Sequence, residues 1–193
     1  MSINMNKKYI QYTVVRDDVP IPEGFMANQV AHAVAACMSS QIAWMSNANV
    51  PSEKIMAKIN ISSPDAFLRN MENMTAWLDS IFYKTVVKAK GPDELNKIAS
   101  ILSENETGYV LIKESGALKI GKLTGTEPDG NREMYLMKKY PGYFSPYTSD
   151  NSFVQDGAIY LKKTDEKGTL TTLGIMPLPE KDIPFILRRL PLY

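Results

Sequence analysis

The chain has 193 residues, with 22 Lys and Arg against 21 Asp and Glu, one His and one Cys. That length suits one domain over residues 1–193, and a net charge of +1 excludes a polyanion binder held by bulk charge. A lone cysteine excludes an intrachain disulfide and a Cys-cluster zinc site, and no apolar run approaches the ~18–20 residues of a membrane span.

The start, Met1 to Lys8, is polar and has no signal-peptide core, so a cytoplasmic protein with no membrane contact is expected. Residues 9–15 (YIQYTVV) are rich in β-branched and aromatic side chains and predict a strand. The turn Val19-Pro20-Ile21-Pro22 then leads into a helix over 24–45. Residues 47–80 look like an addition; within them Ser63-Pro64-Asp65 reads as an N-cap followed by proline at N1. Phe67, Leu68, Met71, Met74 and Leu78 follow, predicting a helix laid against the core. Residues 82–89 give a second strand. Gly91-Pro92-Asp93 opens a helix in which Leu95, Ile98, Ala99 and Leu102 keep the i, i+3, i+4, i+7 rule.

Tyr109-Val110-Leu111-Ile112 is short and apolar, as a central strand often is. Residues 117–167 look like a second addition, turn-rich and polar with interspersed tyrosines. Its end suggests a hairpin joining 158–161 to 170–173, the latter opening the last core strand. Ile183, Ile186, Leu187 and Leu190 predict a closing helix, with Pro184 tolerable in its first turn. Strands alternating with helices argue for an α/β layered fold.

The most informative segment is the helix after the first strand. At ~100° per residue, Val30, Ala33, Val34, Cys37, Trp44 and Met45 fall on one side. Asn28, Gln29, His32, Ser39 and Ser40 fall on the other. The only histidine thus shares a face with two amides near a helix N-terminus, where free N–H groups and a positive dipole suit a phosphate or an oxyanion. A lone His on a polar face is more often a hydrogen-bonded boundary residue than a catalyst. Cys37 points to the apolar side and reads as a small core residue.

Val14-Val15-Arg16-Asp17-Asp18-Val19, followed by Ala27-Asn28-Gln29-Val30-Ala31-His32-Ala33, resembles the opening of archaeal and eukaryotic-type (type 2) peptidyl-tRNA hydrolases. Lys84-Thr85-Val86-Val87-Lys88-Ala89 is similar to that family's K-V-V-V-K-A strand. Residues 171–180 and 190–193 are similar to its last strand and closing segment. The resemblance implies a three-layer α/β/α fold with a mixed four-stranded sheet, to which this chain adds an inserted helix and a β-rich loop. It also implies cleavage of the ester between a peptide and the tRNA 3′ end, with no metal and no cofactor. Such cleavage needs an activated water, a donor for the oxyanion and basic groups for the phosphates.

Carried over residue by residue, His32, Gln29, Asp18 and Thr171 match the family's site. Phe25 stands where the family has a lysine. The family's D-A-G-R-T-Q segment reads Glu114-Ser115-Gly116-Ala117-Leu118-Lys119 here, so Glu114 replaces its aspartate and the arginine and threonine are lost. The catalytic candidates are therefore His32, Glu114, Asp18 and Thr171. Asn28, Gln29, Lys113, Lys119, Arg132 and Tyr143 are the substrate-binding candidates. Three readings compete. One is an active esterase on peptidyl-tRNA. Another is an inactive scaffold holding a nucleotide, RNA or protein, for which Arg132, Lys138, Lys139 and the tyrosines around them supply bases and rings. The last is a structural module whose additions form an oligomer interface, a homodimer for instance, which Met71, Met74 and Trp77 would suit.

Overall fold

The computed structural model describes residues 8–18, 23–47, 51–114, 118–122, 152–155, 158–161 and 169–193. Strand β1 (Tyr9–Arg16) is buried along most of its length, as expected of a strand with neighbours on both edges and layers on both faces. It pairs in parallel with β2 (Tyr83–Ala89) and antiparallel with β7 (Thr169–Ile175). On its other edge β7 pairs antiparallel with β3 (Tyr109–Glu114), giving the order β2-β1-β7-β3. The short β8 (Leu178–Pro179) pairs with the start of β1 and makes a fifth strand beside the four expected.

Alternation along the strands divides the core in two. Tyr109 and Leu111 face one cluster, in which Val14, Leu173 and Ile175 meet Leu95, Ile98 and Leu102 of α4 (Pro92–Glu104) and Leu187 of α5 (Phe185–Arg189). Val110 and Ile112 face the other, with Cys37 of α1 (Glu23–Ser46), Ile55 of α2 (Glu53–Lys58) and Phe67 of α3 (Pro64–Leu78). Helices thus cover both faces of a mixed sheet.

Residues 53–78 form α2 and α3, and the Ser63 hydroxyl accepts from the Ala66 N–H at 3.3 Å, as its cap position requires. Met71, Met74 and Trp77 have no exposed surface. They belong to the core of this chain, so a homodimer contact built on them is ruled out.

The second addition holds β4 (Leu118–Lys122), β5 (Ser152–Gln155) and β6 (Ala158–Leu161), a separate sheet in the order β4-β6-β5. The hairpin expected between 158–161 and the last core strand does not form. Both edges of β7 are taken by β1 and β3, which leaves β6 to pair with β4 and β5. At the C-terminus Pro184 caps α5 from outside its first turn. The tail then covers part of the outer edge of β2, with Lys88 N–H donating to the Pro191 carbonyl and Tyr193 N–H to that of Val86.

Candidate active site

Because β1, β2 and β3 run one way and β7 the other, the ends of the first three meet the start of β7 at one edge of the sheet. Helix α1 follows β1 and packs on β7 at close range. A Cβ placed on Gly174 would lie 2.9 Å from the Ala33 Cβ and 3.0 Å from its carbonyl oxygen. Only glycine lets the helix sit this close.

A bulge shapes the start of β7. Ile112 stands opposite Thr172 and Lys113 opposite Leu170, so Thr171 is the extra residue. Strict alternation would aim Thr171 with Leu173 toward α4; the bulge turns it onto the α1 face. There its hydroxyl meets Gln29 Oε1 at 2.9 Å, with the Ile112 carbonyl at 3.3 Å. Thr171 is fully buried and Gln29 is 1% exposed. A pair joined across 142 positions of sequence is thereby sealed at the edge of the sheet.

The buried face of α1 differs from the expected one. It carries Met26, Gln29, Ala33, Cys37, Ser40 and Gln41, whereas Met45 is exposed. Gln29 and Ser40, placed on the opposite side by apolar spacing, point inward. The physical reason lies in the sheet, whose α1 face presents the buried polar residues Gln11, Thr13, Thr171 and Thr172. Asn28 and His32 remain exposed on the flank beside Gln29, and Phe25 is half-buried one turn earlier. Cys37 sits in the seam, and burial pushes its thiol up to about 12, more than nearby Gln11 and Lys58 pull it down. It is a core thiol, as its spacing indicated.

These features coincide with one match. The family model for peptidyl-tRNA hydrolase PTH2 covers residues 9–127. The chain belongs to the peptidyl-tRNA hydrolase PTH2 family. The match opens on β1 and runs through α1 to β4, so α2 and α3 lie within its extent. Strand β7 lies beyond it, yet its pairing with both β1 and β3 makes it central to the same sheet. No individual curated protein matches the chain. Among the described residues no helix is long and apolar enough to cross a membrane.

Within this PTH2-family fold the site candidates divide between the two sides of the sheet. Gln29 and Thr171 touch, with Asn28 and His32 on the same helix. Asp18 instead receives a two-pronged contact from Arg16, Nε to Oδ1 at 2.8 Å and Nη2 to Oδ2 at 2.6 Å. The same guanidinium donates from Nη1 to the Leu170 carbonyl at 2.8 Å, tying the end of β1 to the start of β7. Asp18 borders a hollow of about 470 Å3 lined by Lys90, Gly91, Asp93, Glu94 and Lys97 at the start of α4, on the face away from α1. Arg16 is 6% exposed and holds these strand ends together, a role the sequence reading missed. The Arg-x-Asp spacing at a strand end was the available signal.

Lys113 is exposed near the end of β3. Glu114 closes β3 opposite Thr169, and Lys119 lies in β4 opposite Tyr160; for both it is the backbone that is described. Arg132 and Tyr143 lie outside the described residues. Among the described residues, no three His, Cys, Asp or Glu side chains come together in a metal-binding group.

Proposed function

We propose that this chain cleaves the ester joining a peptide to the 3′ end of tRNA, at the edge where α1 meets β7 and β3. The observation that carries this reading is the buried Thr171–Gln29 hydrogen bond beside the exposed His32. It fixes a polar pair from distant parts of the chain next to an imidazole that solvent and substrate can reach.

The chemistry follows from these placements. His32 supplies an exposed imidazole, a group suited to taking a proton from an attacking water. The carboxamide of Gln29, held by Thr171 away from solvent, acts as a positioning group that fixes α1 against β7 beneath His32. Glu114, in the position of the family's aspartate, is the residue assigned to orient the water. Asp18 works through Arg16, which sets the strand ends in register. Asn28, Lys113 and Lys119, with Arg132 and Tyr143, meet the RNA. The whole of 1–193 acts as one cytoplasmic unit that needs no cofactor.

Phe25 favours a second reading. It removes a cation from the helix entry, and loss of one such electrostatic contact costs ~10²–10³ in rate. On that reading the same edge holds the RNA end without turning it over. The deciding experiment is release of an acetylated amino acid from tRNA by the purified chain. Release above the uncatalysed rate supports the hydrolase. Saturable tRNA binding without release supports the holder.

A further inference from the structure

Phe25 is the one aromatic residue in the first turns of α1. It is half-buried, and among the described residues it packs against neither of the two core clusters. A phenylalanine that stabilised the domain by burial would be expected within one of them. Its neighbours along the helix are the site candidates. Phe25 and His32 stand at i and i+7, on one flank of the helix beside the buried Gln29. At 1.5 Å rise per residue, ring and imidazole are about 10 Å apart along the axis. That leaves room between them for a ribose and the ester on it.

We propose that Phe25 is a stacking platform for the 3′-terminal nucleobase of the RNA, seating the terminal ribose so that its ester lies toward His32. This rests on the peptidyl-tRNA reading and names a further residue that would meet the substrate. Stacking suits the position for two reasons. Every nucleobase offers a π-face to an aromatic ring, so no donor or acceptor pattern is required. The contact also adds no charge, so it positions the base where this chain lacks the PTH2 pattern's lysine.

The test is a binding measurement on an RNA minihelix with a single-stranded 3′ end carrying an acetyl-glycyl group through a non-cleavable amide. Glycine offers the ring no competing side chain. A second minihelix keeps the terminal ribose and amide but lacks the terminal base. Wild type is expected to bind the complete minihelix about tenfold more tightly than the abasic one, as loss of one stacked base implies. Phe25→Ala should lose that preference and bind both at the abasic level, with an unchanged melting temperature. Phe25→Trp should keep it. The inference is overturned if Phe25→Ala retains the preference, or weakens both minihelices equally. If wild type binds neither minihelix, the peptidyl-tRNA reading falls together with it.

Discussion

Replacing Thr171 by valine removes one hydroxyl from a buried site and tests whether the bulge in β7 exists to hold Gln29. The hydroxyl lies 2.9 Å from Gln29 Oε1, and both residues are almost wholly out of contact with solvent. A net hydrogen bond is worth ~1 kcal/mol, and a buried acceptor deprived of its donor costs ~1–3 kcal/mol. Thr171→Val should therefore destabilise the chain by about 1–3 kcal/mol, lowering the melting temperature by roughly 2–4 °C for each kcal/mol at this chain length. Urea unfolding followed by circular dichroism reads the loss. The specific part comes from a cycle with Gln29→Leu, because two residues that touch should couple by at least ~0.5 kcal/mol. The double variant should then cost less than the sum of the singles. A Thr171→Val variant within ~0.5 kcal/mol of wild type, or strictly additive effects, would refute the assignment of this bond.

Other consequences are equally direct. Gly174→Ala drives a methyl group to within 2.9 Å of the Ala33 Cβ, so it should cost about 1–3 kcal/mol by overpacking and shift α1 on the sheet. Denaturant unfolding and backbone chemical shifts across α1 read the two effects. Asp18→Asn leaves the Arg16 guanidinium without its carboxylate. Because Asp18 keeps 31% of its side-chain surface exposed, the loss expected from denaturant unfolding is about 1–3 kcal/mol, below that of a fully buried pair. For Cys37 the folded-state pKa of about 12 lies above the ordinary thiol value of 9.0. Above pH 9 the unfolded chain loses the thiol proton while the folded chain keeps it. Stability present below that pH should therefore fall by ~1.4 kcal/mol per pH unit toward pH 12. Cys37→Ala should remove this slope from a series of urea titrations.

How far the sequence reveals this molecule depends on which interactions are local. The strands β1, β2, β3 and β7 announce themselves through β-branched and aromatic runs. Ser63-Pro64 and Gly91-Pro92 mark helix starts because capping chemistry acts within a few residues of its own backbone. The inward face of α1 differs from the one its apolar spacing predicts, because hydrophobic spacing assumes an apolar floor. Here the floor carries Gln11, Thr13, Thr171 and Thr172, and it draws Gln29 and Ser40 inward. The aim of Thr171 could not be read from β7 at all. It depends on a register shift against β3, a partner more than fifty residues earlier in the chain. The false hairpin at 158–161 has a similar origin. Short strands near each other in sequence suggest pairing, but β7 had already committed both edges to β1 and β3. Family resemblance singles out Gln29, His32 and Thr171 as candidates, while the physical reason that two of them touch appears only in three dimensions.

The most direct test of the account is single-turnover release of a labelled acetyl-aminoacyl group from tRNA, compared between wild type and His32→Ala at equal tRNA occupancy. His32 is exposed on α1, so its loss should leave folding and tRNA binding in place. The account predicts release by wild type and at least a hundredfold slower release by the variant, within the ~10²–10⁴ range of positioned acid–base groups. Equal rates from the two proteins would contradict it and move the chemistry away from this edge of the sheet.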